Sequence, residues 1–166
     1  DGADWLWKHM TACFPKGRQI LDYYHCAEHI HNVGKHLYGE KSQKCLEWVE
    51  STLTRLYYAE VDNVIWGLQR MKAPNDTAAE EIRKLNGYLR KNRDRIHYHG
   101  DRIGGYPVGS GGIESANKFI SHTRMKRSGA WWVKENGNEM LAIRCAIYNG
   151  TYDEVFEKYK KAQMEP

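Results

Sequence analysis

Four groups of residues have types and spacings that could do chemistry. The first is Asp1, Asp4, Asp22 and His25. Asp22 is the acidic break in the apolar run Arg18–Tyr24 (RQILDYY). That run is short and rich in β-formers, so it is predicted as a buried strand. A carboxylate at a strand end faces the crevice where ligands bind in open α/β folds. Buried and unpaired, it would cost several kcal/mol. A metal, an arginine or a hydrogen-bond network must answer it, and a bond to backbone or to His25 would do so. The second group is His25, Cys26, His29, His31 and His36. His25 and His29 share a helix face at a zinc-compatible spacing, but no Glu follows the first histidine, which excludes the His-Glu-x-x-His pattern. A structural zinc would need two more ligands, and solvated or core histidines account for the same residues.

The third group is Gly109-Ser110-Gly111-Gly112-Ile113-Glu114-Ser115. It lacks the Gly-Lys-[Ser/Thr] of a nucleotide-binding loop. Its glycines let backbone N–H groups approach an anion at a helix start. Glu114 falls in the first helical turn, where the positive helix end favours the ionised form. Lys118 lies four residues on, so an ordinary i,i+4 pair is the plain alternative. The fourth group is basic. Arg83, Lys84, Arg90, Lys91, Arg93, Arg95 and Arg102 crowd one stretch. Lys118, Arg124, Lys126, Arg127 and Lys134 crowd another, around Trp131-Trp132. Cations beside aromatics suit a phosphate backbone and an unstacked base. A solvated helix face over buried tryptophans is the competing reading.

The elements that must position these groups are mostly helical. Asp4 caps a helix ending near Phe14-Pro15, and helical spacing resumes from Cys26 to Tyr38 before Gly39. Leu46, Val49, Leu53, Leu56 and Tyr57, then Val61, Val64, Ile65, Leu68 and Met71, predict a helical region from Glu40 to about Met71. Thr77–Lys91 is a further amphipathic helix, with Ile82, Leu85, Tyr88 and Leu89 inward. Residues 99–112 read as a Gly-dense loop. Helices follow over Ile113–Arg127, Asn138–Tyr148 and Tyr152–Ala162. One strand cannot satisfy its own hydrogen bonds. The expectation is therefore a C-terminal fragment of an α/β fold, mostly helical, with a helical insertion.

The 166 residues amount to one domain or a piece of a larger one. No run of 18 apolar residues exists, which argues against a membrane span, and no secretory signal opens the chain. The four cysteines form no Cys-x-x-Cys pair and read as reduced cytoplasmic thiols. A net charge of +4 is ordinary and hints only weakly at an anionic partner.

Asp1-Gly2-Ala3, a helix to Phe14-Pro15, then Ile20-Leu21-Asp22-Tyr23-Tyr24-His25 resembles the middle of the DDE transposases of bacterial insertion sequences. Tyr106-Pro107-Val108-Gly109-Ser110-Gly111-Gly112-Ile113-Glu114-Ser115, followed by Arg124-Met125-Lys126-Arg127-Ser128-Gly129-Ala130-Trp131-Trp132, resembles their glutamate helix and its sequel. The likeness is nearest to the Kra-type group, with kin in the Mutator-like and hAT-like groups. It covers most of the chain in order and is weakest in the helical insertion.

The resemblance implies an RNase H-like α/β fold whose carboxylates hold two divalent ions, Mg²⁺ or Mn²⁺. Asp1 would be the second metal-ligating carboxylate and Glu114 the third. Asp22 and His25 would form a supporting Asp-x-x-His motif; in another register Asp22 is itself the metal ligand. The first catalytic aspartate has no counterpart here and would lie upstream. The implied divisions are 1–39 (core part), 40–105 (helical insertion) and 106–166 (C-terminal core part with the glutamate helix). The implied reaction is metal-dependent cleavage of DNA and strand transfer. Lys118, Arg124, Lys126, Arg127, Arg90, Lys91, Arg93 and Arg95 would hold the DNA backbone, and Trp48 or Trp66 could stack on a flipped base. The implied partners are DNA, the N-terminal region of the same transposase, and further copies in a homodimer or larger assembly at the bacterial nucleoid. The alternative is a non-catalytic helical nucleic-acid-binding module derived from a mobile element.

Overall fold

The structure is a computed structural model and describes residues 3–164. It divides into two compact units, one up to Gly109 and one from Ser110. Among the described residues there is no strand: the regular elements are helices joined by turns and irregular segments. The expected α/β, RNase H-like architecture with a strand at Arg18–Tyr24 is thus overturned for this stretch.

The reason lies in where the backbone donors go. Leu21 is fully buried, as its apolar neighbourhood demands. Its amide, however, donates to the Arg95 carbonyl at 3.0 Å, and that of Tyr23 to the Val108 carbonyl at 2.8 Å. A 3-10 turn over Arg93–Arg95 and the loop at Val108 satisfy these donors, so no partner strand is needed. The run ends at Asp22, whose carboxylate accepts from the His25 amide and caps a helix. Tyr23 and Tyr24 are therefore helical. An apolar, β-rich run of this length marks a buried segment, and burial alone does not make a strand.

In the first unit, α1 (Asp4–Cys13) precedes this segment. The core comes from α2 (Tyr23–Tyr38), α3 (Gln43–Tyr57), α4 (Val61–Arg70) and α5 (Asp76–Lys91). Ser42 and Asn75 cap α3 and α5 through their side-chain oxygens. Cys26, Ile30 and Val33 of α2 pack with Val49 and Leu56 of α3, Val64 and Leu68 of α4, and Ile82, Leu85 and Leu89 of α5. Full burial of such a side chain stabilises by about 1.5–3 kcal/mol. Gly34 lets α2 and α3 approach closely: a Cβ there would lie 2.8 Å from Val49 Cγ2. The helical region expected over 40–71 is broken at Tyr58–Glu60. There Ala59 takes a left-handed φ of 63° and the Glu60 amide closes onto the Arg55 carbonyl at 2.8 Å. Within the expected 99–112 loop, Tyr98–Ile103 forms α6, with Tyr98 fully buried.

The second unit begins with α7 (Gly111–Asn117) and continues through a wide, π-type turn over Lys118–His122. The expected helix to Arg127 ends early. Ser121 Oγ donates back to the Asn117 carbonyl, and both the amide and the hydroxyl of Thr123 donate to the Lys118 carbonyl. Such back-bonding competes with the helical ladder. A loop leads to α8 (Lys134–Tyr148) and α9 (Tyr152–Met164). Among the described residues only Gly137 and Ala146 of this unit are buried. Many of its large apolar side chains, Ile113 and Phe156 among them, remain exposed. No helix among the described residues is long and apolar enough to cross a membrane.

Candidate nucleic-acid interface

Asp22 and His25 come together in the first unit. Asp22 is 8% exposed, and its Oδ1 lies 2.8 Å from the His25 amide nitrogen. The His25 ring instead meets Glu28, Nδ1 to Oε2, at 3.1 Å. Gly109 closes over this point. A Cβ on it would lie 2.7 Å from the Tyr24 ring and 3.9 Å from Asp22 Oδ2. Only glycine brings the backbone so near both.

The zinc-type grouping does not assemble. Cys26 is fully buried, and burial pushes its thiol up to about 11. A metal-ligating cysteine needs the thiolate, which this environment opposes. Among the described residues no three His, Cys, Asp or Glu side chains are arranged to hold a metal ion. Of the carboxylates implied as ligands, Asp22 accepts from the His25 amide through Oδ1, and Glu114 lies in the second unit. Asp1, expected as a ligand, lies outside the described residues.

Glu114 is exposed in the first turn of α7. It does not pair with Lys118; the Ser110 hydroxyl donates to its Oε1 at 2.7 Å, and its amide donates to the Ser110 carbonyl. The residue just ahead of the helix thus orients a carboxylate that remains open to water.

The two basic stretches differ in their partners. Arg83 binds Glu80 and Lys84 binds Glu81, each at 2.7 Å. These contacts hold both carboxyls below the ordinary glutamate range. Lys91 reaches Asp4 at 2.7 Å, the hydrogen bond depressing the Asp4 carboxyl, and Arg93 reaches Asp62 at 2.6 Å. Arg95 donates to Gln19 and lies over the Trp7 ring at 4.4 Å. Most of this stretch is committed to α1, α4 and its own helix; exposed Arg90 has no ion pair among the described residues.

In the second unit Lys118, Arg124, Lys126, Arg127 and Lys134 are all exposed, and none pairs with a carboxylate among the described residues. Lys126 meets only His122, at 3.1 Å, and Arg127 Nε donates to the Thr123 carbonyl. Trp131 is 95% exposed. Trp48 is half-buried beside Tyr38, and Trp66 is exposed with Arg70 over its ring at 4.0 Å.

Sequence reasoning passed over a cluster of rings in the first unit. Tyr23 stands edge-on to Tyr24, Tyr57 and Tyr98, and His99 meets Tyr57 and Tyr58. The doublets Tyr23-Tyr24 and Tyr57-Tyr58 were the available signal. No protein-family model, curated protein or solved structure matches the chain.

Proposed function

We propose that the chain serves a DNA transposase of the DDE type, as the portion that carries the Asp-x-x-His motif, a helical region and the glutamate helix. One observation carries the reading. Glu114 is exposed and oriented by Ser110, at the head of a segment whose five cations lack carboxylate partners among the described residues. A polyanionic backbone supplies the charge that such cations lack. The order of motifs from Asp1-Gly2-Ala3 to Trp131-Trp132 supports the same reading. In it, Glu114 and Asp1 are two of the carboxylates that serve Mg²⁺ or Mn²⁺, and the rest come from outside the described residues. Asp22 and His25 support the site. The substrates are the element's ends and its target DNA, brought together by two or more copies.

The second reading is a non-catalytic nucleic-acid-binding module. It draws on the exposed cations of the second unit, which can hold a phosphate backbone with no metal chemistry. A strand-transfer assay with the full-length protein containing this chain separates the two. Glu114→Gln should lower Mg²⁺-dependent transfer into a labelled duplex by about 100-fold or more. Duplex affinity, read by anisotropy, should stay within about twofold, since Glu114 makes no favourable contact with phosphate. Unchanged transfer would remove the catalytic role. Salt-sensitive binding by a wild-type protein with no transfer would select the second reading.

A further inference from the structure

Trp131 and Trp132 are neighbours in sequence but have different surroundings. Trp132 is the anchor. Its indole Nε1 donates to the Met125 carbonyl at 3.2 Å across the loop. It also packs beside Gly137 of α8, where a Cβ would lie 3.6 Å from both the Trp132 Cβ and the Met125 methyl. Gly129 takes the left-handed φ of 75° that turns the chain ahead of this pair, and the Ala130 amide closes onto the Arg127 carbonyl at 3.0 Å. Residues 130–133 then run without helical winding. With Trp132 turned to α8, Trp131 faces water, and at 95% it is the most exposed large apolar side chain described. An exposed indole offers a flat apolar face, with an electron-rich ring, to a ligand.

The surroundings of the ring identify the occupant's chemistry. No Asp or Glu occurs from Ser115 to Lys134, and five Lys or Arg do. The loop that carries the ring thus has cations and no carboxylate of its own, which favours a polyanion over a basic protein surface. A duplex offers phosphates but keeps its base faces stacked, and an indole gains little from it. A strand with unpaired bases offers both phosphates and π-faces. We infer that the loop Thr123–Val133 binds an unpaired stretch of nucleic acid, one base stacking on Trp131 while Arg124, Lys126 and Arg127 hold the adjoining phosphates. This rests on the transposase reading and specifies the state of its DNA: melted or single-stranded where it meets this loop.

The test is anisotropy with the full chain and two labelled probes at matched salt, a 20-nucleotide oligo-dT and a 20-base-pair duplex. Trp131→Ala should weaken oligo-dT binding by about 5- to 100-fold, the range for losing one base–aromatic stack. Trp131→Phe should restore most of it. Duplex binding should change less than about twofold in either variant. Trp131 emission should be quenched by oligo-dT in the wild type, and that quenching should vanish in Trp131→Ala. The ring makes no packing contact in the unit's described interior, and circular dichroism will verify that both variants fold. Equal losses on both probes, or none, would overturn the inference and leave the DNA reading standing. No binding of either probe at low salt would remove both. Trp131→Ala abolishing self-association in sedimentation, without touching oligo-dT affinity, would assign the ring to a protein contact and overturn the inference.

Discussion

Residues 83–95 and 118–134 are both rich in Lys and Arg, yet only in the first do most of the cations, Arg83, Lys84, Lys91 and Arg93, meet carboxylates within the molecule. In the first, carboxylates stand three residues before Arg83 and Lys84, one helical turn away, and Asp4 and Asp62 come from other helices to meet Lys91 and Arg93. In the second, the sequence between Glu114 and Glu135 has no acid to offer. Cation density therefore does not identify a polyanion site. The discriminating feature is whether each cation already has a partner. Exposed ion pairs are worth about 0–1 kcal/mol each, so the first stretch gains modest stability from its pairing and keeps little charge for a ligand.

The contrast extends to packing. The first unit buries large apolar side chains from four helices around Leu21 and Ile96, whereas the second buries only Gly137 and Ala146 among the described residues. The largest effect should come from breaking the packed region. Leu85→Ala should lower unfolding free energy by about 2–5 kcal/mol, by chemical denaturation of the full chain. Ile147→Ala, at an exposed site in the second unit, should cost under about 0.5 kcal/mol. Equal costs would erase the distinction between the units.

The charge contrast can be broken next. Replacing Arg124, Lys126 and Arg127 together by Ala should reduce the logarithmic salt slope for duplex binding by about 2–3. Replacing Arg83 and Lys84 should leave it within about 0.5, because those cations are already neutralised. Equal slopes would show that pairing does not matter.

A smaller effect is due at Asp22. Asp22→Ala should cost about 1 kcal/mol in thermal unfolding through loss of the α2 cap, and Asp22→Asn should recover most of it. If Asn destabilises as much as Ala, the negative charge at Asp22 matters beyond the cap.

The smallest effect is a pH dependence confined to the first unit. Partial burial beside Tyr88, followed by the charge of His25, holds the His29 imidazole below its ordinary value of 6.5. The unfolded chain therefore takes up this proton first. Its contribution to stability is complete above about 6.5 and is lost as pH falls toward the folded value. Urea midpoints should drop between pH 7.5 and 5.5, and His29→Gln should flatten that drop slightly; an unchanged slope would exclude the ring.

Much of this organisation was legible in residue order. Three- and four-residue spacing marked Val49 and Leu56, Val64 and Leu68, and Ile82, Leu85 and Leu89 as inward, and all are buried; of the same stripes, Leu53, Tyr57, Met71 and Tyr88 are partly buried and Leu46 is exposed. Capping was read less well: the cap expected at Asp4 is not made, since α1 begins at that residue with no side-chain cap, and the caps at Ser42 and Asn75 were not foreseen. Leu21 illustrates the limit. Its burial followed from the run around it, but not the identity of its hydrogen-bond acceptor, because the Arg95 carbonyl lies 74 residues away in sequence. The break at Ala59 was equally hidden, since alanine is an ordinary helix former and its left-handed conformation is imposed by the closing turn. For the candidate site, Glu114 at a helix start could be read from the glycines before it, but not its bond to Ser110 in preference to Lys118.

Local chemistry alone determined helical periodicity, the glycine turns and an acid-free interval rich in cations, because each acts within a few residues. Only the tertiary structure decided that the Leu21 segment needs no sheet, that Lys91 and Arg93 are spent on Asp4 and Asp62, and that of two adjacent tryptophans one is anchored and the other open. Those outcomes depend on which distant groups arrive at a given donor, cation or ring, and no local pattern encodes that.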